Sequence, residues 1–240
     1  MLREIRNFYN KIKLQVLNNE VSEDVPITYL KVFHKEYPRF NSRKLSENYL
    51  EESELETLLE NRESTREFSD KPTTFEDISK VLNSCRIVDP IRNPEKRTYP
   101  SGGARFPVEL YLATYNVEGI DGGMYHYNMK ESELEEIWKR DLTTVKRDLI
   151  SPYLENPSAT VIFTSVIPRS EVKYGARAYP YSLIEAGHMG QNIHLRCKEL
   201  GLGSCSVSGF VEDKISELLD LTSEELPIYT ISLGWPKKNV

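Results

Sequence analysis

Cysteine is scarce in this 240-residue chain: there are three, Cys85, Cys197 and Cys205, with no CxxC spacing. An odd, scattered set argues against a disulfide framework and a cysteine zinc site, and predicts reduced thiols. Long hydrophobic runs are missing too. None reaches the roughly 18 residues that cross a bilayer, and MLREIRNFYNKIK lacks the apolar core of a signal peptide. The expectation is a cytoplasmic protein without membrane contact. Clustered basic charge is also absent. Lys and Arg number 31 against 37 Asp and Glu, a formal net charge of -6, so no basic face is offered to a nucleic acid. Neither GxGxxG nor a glycine loop ending in GKS or GKT occurs, which disfavours a Rossmann dinucleotide or a P-loop triphosphate. Repeats and low-complexity tracts are absent as well.

What is present suffices for a large core. Hydrophobic residues are 39% of the chain, with 14 Tyr and 8 Phe, enough for one domain or one domain with an added arm. Residues 3–18 intersperse Ile5, Phe8, Ile12, Leu14 and Val16 among Lys and Arg, as an amphipathic helix does. From Glu20 to about Leu50, most clearly in VFHKEYPRFN, no periodicity appears and Pro38 blocks regular structure. Ser53 with Glu56, and Thr74 with Asp77, mark two helix starts. The first helix runs through Leu55, Leu58 and Leu59, and the second buries Ile78, Val81 and Leu82. DPIRNPEKRTYPSGGARFP reads as a loop. VELYLATY, MYHYN and LEEIWK predict a hairpin and a third strand, and ATVIFTSVI, a nearly continuous apolar run with many β-branched residues, predicts a central buried strand. A helix over KISELLDL and a strand over IYTISLGW close the chain. Strands and helices without strict alternation predict an α+β fold.

The stretch from Lys173 to Phe210 carries no run of charge. Leu183, Ala186, Gly187, Gly190, Ile193, Cys197 and Leu200 recur at three and four, predicting a buried helix of about five turns that starts near Pro180 and is capped by Gly201. Ser204 to Ser208 is short enough for an interior strand. His188 reads as a core histidine. His194 and Cys197, three apart, are a geometrically possible metal pair, but no second pair has ligand spacing, so no metal is expected. Cys205 reads as a buried thiol. Tyr99, Tyr125, Tyr179 and Tyr181 line a pocket or pack the sheet.

Two segments offer a ligand something to bind. In RESTREF an extended backbone puts Arg62, Ser64, Arg66 and Phe68 on one face, and two guanidinium forks with a hydroxyl suit a phosphate. A solvated Arg pair beside Glu63 and Glu67 is the plain alternative. In Pro100-Ser101-Gly102-Gly103 the two glycines let backbone amides approach a ligand.

Taken in order, RESTREF, YPSGGARFP, EAGHMGQNIHLRCKELGLGSC and ISLGWPKK resemble the flavin-dependent nitroreductase family over roughly residues 60–238. PSGGARFP and EAGHMGQN extend the resemblance to the SagB-type azoline dehydrogenases of thiazole/oxazole peptide biosynthesis. The resemblance implies a nitroreductase-like α+β fold, a central mainly antiparallel sheet flanked by helices, and a homodimer with FMN at the interface. Residues 1–55 would be an N-terminal helical arm, a place for partner contacts, and 56–240 the FMN-binding domain. It implies Arg62, Glu63, Ser64 and Arg66 as phosphate or ribityl contacts, with Pro100, Ser101, Gly102, Gly103 and Ala104 against the isoalloxazine. Gly203, Ser204 and Cys205 would edge the ring, and Lys237 or Lys238 would reach the phosphate. Lys173 and Tyr174, ahead of the long helix, match a catalytic Lys-Tyr pair. Azoline oxidation removes a hydride and a proton, so it needs a base. Lys and Tyr ordinarily titrate near 10, and neighbouring Arg169 and Arg177 are candidates to lower one of them. Without the resemblance, Lys173 is a surface lysine beside a packing tyrosine. The implied substrate is an azoline in a peptide or carrier-bound intermediate, with a cyclodehydratase or other biosynthetic partner. The alternatives are an NAD(P)H-dependent nitroreductase or quinone reductase, and a scaffold subunit of a biosynthetic complex.

Overall fold

The computed structural model describes residues 2–13, 34–45, 53–142, 146–149 and 152–237. Helix α1 (Leu2–Ile12) buries Ile5 and Tyr9, four residues apart on one face. It lies against the body: the Tyr9 hydroxyl donates to the Pro227 carbonyl at 2.8 Å and Lys13 pairs with Asp213 at 2.6 Å. Leu14 and Val16 fall outside the described residues. Residues 34–45 are exposed and irregular, as Pro38 predicts. Helix α2 (Glu54–Asn61) starts where expected, with the Ser53 hydroxyl accepting from the Glu56 amide at 3.5 Å.

Strand β1 (Thr73–Thr74) leads into α3 (Phe75–Leu82), whose Thr74–Asp77 capping box is complete and whose Ile78, Val81 and Leu82 are buried. Strand β2 (Ile87–Asp89) runs into the segment that reads as a loop and pairs with β3 (Lys96–Arg97) inside it. They are too short to leave an alternating pattern. Then come β4 (Val108–Thr114), β5 (Val117–Glu118), which pairs with β1, β6 (Gly123–Asn128), β7 (Glu133–Lys139), α4 (Lys146–Leu149) and β8 (Ala159–Val166). Helices α5 (Pro168–Tyr174) and α6 (Ala178–Glu199), strand β9 (Gly203–Val207), α7 (Glu212–Leu218) and β10 (Glu225–Gly234) complete the described chain.

The main sheet runs β7-β6-β4-β8-β10-β9, and each of its pairings is antiparallel. Alternate residues feed two cores. Leu110, Leu112, Val161, Phe163, Ile231 and Leu233 pack with α3 and α6 on one face. Tyr111, Ala113 and Ile162 pack with Phe210, Ile215 and Leu219 on the other. Cover on both faces explains why β8 is buried along nearly its whole length, its polar Thr160, Thr164 and Ser165 included. This is the expected α+β fold.

Two expectations are corrected. Strand β9 is at the sheet edge, not inside it. Its burial comes from RESTREF, which lies along it: Ser64 bridges Ser204, and the Thr65 amide donates to the Ser204 carbonyl at 3.0 Å. Helix α6 buries Ala186, Gly190, Ile193 and Cys197 as expected, but its inward face is rotated to take in polar residues in place of Leu183 and Gly187. It begins at Ala178, so Pro180 falls within the first turn, and it buries Ser182, Glu185, Ala186, Met189, Gly190, Ile193, His194 and Cys197. Leu183, Ile184, Gly187 and His188 are exposed. The inward face carries polar groups with partners, such as Ser182, which accepts from the Ser165 hydroxyl at 2.7 Å. A hydropathy pattern cannot register that compensation.

Candidate active site

The RESTREF segment leaves α2 at Arg62, whose amide still closes the helix on the Leu58 carbonyl at 3.0 Å. From there the backbone is extended along β9. The approach is close at Gly203, where a β-carbon would lie 2.6 Å from Thr65 Cβ and Cγ2, so only glycine fits. Arg62, Glu63, Thr65, His194, Lys198 and Ser204 are among the residues that line a recess of about 90 Å3. Ser64 and Arg66 are exposed beside it, whereas Phe68 is buried, so Phe68 departs from the expected common face. The strand twists inward there to pair with Glu155 and Pro236.

His194 is held between two hydroxyls, Nδ1 to Ser204 at 2.7 Å and Nε2 to Ser206 at 2.5 Å. Burial, with Arg62 nearby, depresses its pKa to about 4, so the ring is neutral near pH 7. Among the described residues neither Arg62 nor Arg66 is ion-paired, and Arg62 and Lys198 in the recess, with the exposed Ser64 and Arg66 beside it, make a donor set suited to a phosphate monoester. Lys237 reaches the same strand, its amide on the Glu67 carbonyl at 3.0 Å and its ammonium 3.7 Å from the Glu67 carboxylate. Lys238 lies outside the described residues. Cys205 is buried and free, and burial raises its pKa.

A second cluster forms toward the N-terminal end of α6. The Pro100–Ala104 loop is fixed from behind: Asn192 donates to the Thr98 and Ser84 carbonyls, each at 3.2 Å, and Ser101 Oγ accepts from the Phe106 amide at 2.9 Å. Gly103, Ala104 and Phe106 have φ of 61°, 51° and 46°, a left-handed stretch in which two non-glycine residues are strained. Helix α5 brings Lys173 and Tyr174 onto this loop. A β-carbon at Gly103 would lie 2.8 Å from Lys173 Nζ and inside contact distance of the Tyr174 hydroxyl. Lys173 is exposed and Tyr174 half-buried, with its ring edge-on to Tyr181 at 5.0 Å. Arg169 ties α5 to the loop by donating to the Phe106 carbonyl at 3.1 Å and pairing with Glu109.

Pro100, Ser101, Gly102, Tyr181, Ile184, Glu185 and His188 surround a cleft of about 270 Å3. His188, expected in the core, is therefore an exposed cleft residue. The residue that motif reasoning passes over is Glu185. Its carboxyl is buried, one oxygen has no hydrogen-bond partner, and burial raises its pKa to about 7. A single acidic residue within an otherwise uncharged SLIEAGHMG run is the signal that marks it. Of the four tyrosines weighed from sequence, Tyr181 faces this cleft. Tyr99 and Tyr125 are core residues, and Tyr179 packs edge-on against Phe8 and Tyr9. Among the described residues, no cluster of His, Cys, Asp or Glu is arranged to hold a metal, and no helix is long and apolar enough to cross a membrane.

The site thus combines an antiparallel sheet between helical layers, a recess lined by two cations and a carboxylate, and a glycine loop. Residues 59–235 match the profile of the nitroreductase family, and the chain belongs to that family. FMN is the cofactor that membership implies, and the phosphate-type donor set of the recess fits it. A nitroreductase-like protein of Methanocaldococcus jannaschii is 29% identical over 187 residues, 77% of this chain and 92% of that one. The microcin B17-processing protein McbC of Escherichia coli is 28% identical over 148 residues, 59% of this chain and 54% of McbC. A chain of the E. coli microcin synthetase McbBCD complex, solved with truncated pro-MccB17 bound, superposes with a TM-score of 0.82 at 23% identity, covering 99% of this chain and 93% of that one. That superposition establishes the fold.

Proposed function

We propose that this protein is an FMN-dependent dehydrogenase that oxidises thiazoline or oxazoline rings to azoles in a modified peptide or carrier-bound intermediate. The observation that carries this reading is the convergence of Lys173 and Tyr174 on Gly103 of the glycine loop. The likeness to McbC supports it. FMN supplies hydride acceptance. Arg62, Glu63, Ser64 and Arg66, with Lys237 or Lys238, hold its phosphate and ribityl end, and Lys198 with Ser204 completes the recess. Gly203, Ser204 and Cys205 would edge the ring. Pro100, Ser101, Gly102, Gly103 and Ala104 would lie against it, and the bare Gly103 leaves room for Lys173 and Tyr174 on the other flank of the loop. Lys173 and Tyr174 remove the proton from the carbon next to the one that gives up hydride.

The two clusters lie toward opposite ends of α6, and the exposed Leu183 and Ile184 lie on that helix. A homodimer that buries this face would bring the glycine loop of one copy to the recess of the other. A biosynthetic partner such as a cyclodehydratase would deliver the azoline. The second reading, an NAD(P)H-dependent nitroreductase, is favoured by the M. jannaschii relative, which matches more of this chain than McbC does.

The test is a Lys173→Met/Tyr174→Phe variant assayed on a synthetic azoline peptide by mass. The expected outcome is retained FMN with azole formation down about 100-fold or more, the scale of a lost general base. Normal azole formation by the double variant would contradict the assignment of the pair. A protein that takes up no FMN would instead be a scaffold subunit.

A further inference from the structure

Behind the glycine loop stands a chain of charged groups that the proposed chemistry leaves unused. Glu109 lies on β4, two residues before Tyr111, whose partner across the ladder is His126 of β6, so all three side chains share one face of the sheet. His126 Nε2 is 3.3 Å from one Glu109 oxygen and its Nδ1 2.8 Å from Glu135 on β7, with the ring tilted on Tyr111 at 5.1 Å. The other Glu109 oxygen accepts from Arg169 Nη1. Burial raises the pKa of Glu109, but His126 and Arg169 outweigh it and hold the carboxyl below its usual range. Glu109 is a charged anchor, held from both sides.

What it anchors is the joint between the glycine loop and α5. The same Arg169 Nη1 donates to the Phe106 carbonyl at 3.1 Å, and Arg105 Nε donates back to the Arg169 carbonyl at 2.7 Å. Phe106 has φ of 46°, and its amide donates to Ser101 Oγ at 2.9 Å. A non-glycine residue stays in that region only where its surroundings over-determine it, and here both its amide and its carbonyl are held. Arg169 and Lys173 are four apart on α5 and so share one face of the helix. That face meets the loop twice, Arg169 at Phe106 and Lys173 at Gly103. The geometry points to Glu109 as a positioning residue: through Arg169 it holds α5 and the strained loop together, and so sets Lys173 and Tyr174 where the substrate proton is taken.

The role rests on the azoline reading, and it differs from that of a stabilising salt bridge. Arg169 is exposed, so its ion pair adds little to the stability of the whole fold. A displacement of about 1 Å at a reacting group, by contrast, costs about 100-fold in rate. Loss of the anchor should therefore show in turnover before it shows in melting. Lys173 and Tyr174 stay chemically intact in such a variant, and only their placement changes.

The test compares the FMN-loaded wild type with Glu109→Gln, Arg169→Met and Arg169→Lys. The first readout, independent of turnover, is hydrogen exchange at the Phe106 amide and at the Gly175 amide, which closes α5 on the Glu171 carbonyl. Both should exchange about tenfold faster in Glu109→Gln and Arg169→Met, the scale of one lost charged hydrogen bond, while β8 is unchanged. The second is steady-state azole formation. Both variants should keep FMN and KM and lose about tenfold to 100-fold in kcat, with a larger deuterium isotope effect at the carbon that loses the proton. Arg169→Lys, which keeps a cation beside Glu109, should recover part of both readouts. If Glu109→Gln does not fold, Arg169→Met, at an exposed position, decides. Unchanged exchange at the two amides overturns the inference, as does normal kcat in Arg169→Met. A lower kcat with the isotope effect unchanged also overturns it, because a smaller active fraction then explains the loss. If the wild type oxidises no azoline, the functional reading fails on its own, and the amide exchange decides whether Glu109 holds the loop to α5.

Discussion

At the scale of single residues, two buried groups on α6 pull stability in opposite directions with pH. Glu185 has its pKa raised from 4.5 to about 7 by burial, so the folded state favours its neutral form. Its contribution is fully present below pH 4.5 and is lost as pH rises to 7, on the order of 3 kcal/mol at 1.36 kcal/mol per unit. His194 is depressed from 6.5 to about 4, first by burial and then by Arg62. Its stability is present above pH 6.5 and is lost as pH falls through 4, by a similar amount. Glu185→Gln should therefore melt above the wild type at pH 8, with the gain gone near pH 4.5. His194→Gln should flatten the loss of melting temperature between pH 6.5 and 4, while costing stability at pH 8 through its two serine hydrogen bonds. A Glu185→Gln melting point below the wild type at pH 8 would mean that the carboxylate is satisfied in solution.

The elements owe their placement to a few close approaches. At Gly203 the RESTREF strand passes so near β9 that a methyl group meets Thr65. Gly203→Ala should cost about 1–3 kcal/mol by overpacking and release FMN by displacing Arg62 and Ser64. Chemical denaturation and flavin absorbance measure both, and full FMN occupancy in a destabilised variant would remove RESTREF from the cofactor site. At Gly103 a methyl group would push Tyr174 aside, and φ is 61°. Gly103→Ala should keep FMN yet lose azole formation by tenfold or more, as general-base misplacement does. Normal turnover in that variant would remove Tyr174 from the chemistry. Both glycines stand inside motifs that are legible in the sequence, and so do the caps at Ser53 and Thr74 and the strands β4, β6, β7 and β8. These features are local, set by capping spacing, alternation or a run of β-branched residues. The polar part of the inward face of α6 and the edge position of β9 were not legible. Ser182, Glu185 and His194 are polar residues buried against partners elsewhere in the chain, and β9 is covered by a segment far away in sequence. Pattern reasoning counts apolar residues and cannot see either form of cover. The segments of the candidate site were legible as motifs, but their assembly around Gly103, and Glu185 within the cleft, required the packed chain.

For the whole molecule, the separation of the clusters sets the prediction. Tyr181 and Lys198 are about 26 Å apart along α6 at 1.5 Å per residue, so the proposed site draws on two copies. Sedimentation should report a homodimer, and Leu183→Asp/Ile184→Asp should weaken it. Mixing inactive Arg62→Ala dimers with inactive Tyr174→Phe dimers, followed by subunit exchange, should restore about a quarter of wild-type activity, because half of the dimers carry one intact site of two. No recovery would place both clusters in one copy's site. The central claim, azoline oxidation by bound flavin, is tested most directly by mixing FMN-loaded protein with an azoline peptide in the absence of oxygen and NAD(P)H. The account predicts that the visible flavin band bleaches once per site while the peptide loses two hydrogens. A band left unchanged by azoline and bleached at once by NADPH would contradict it and make the protein a nitroreductase in activity as well as in family.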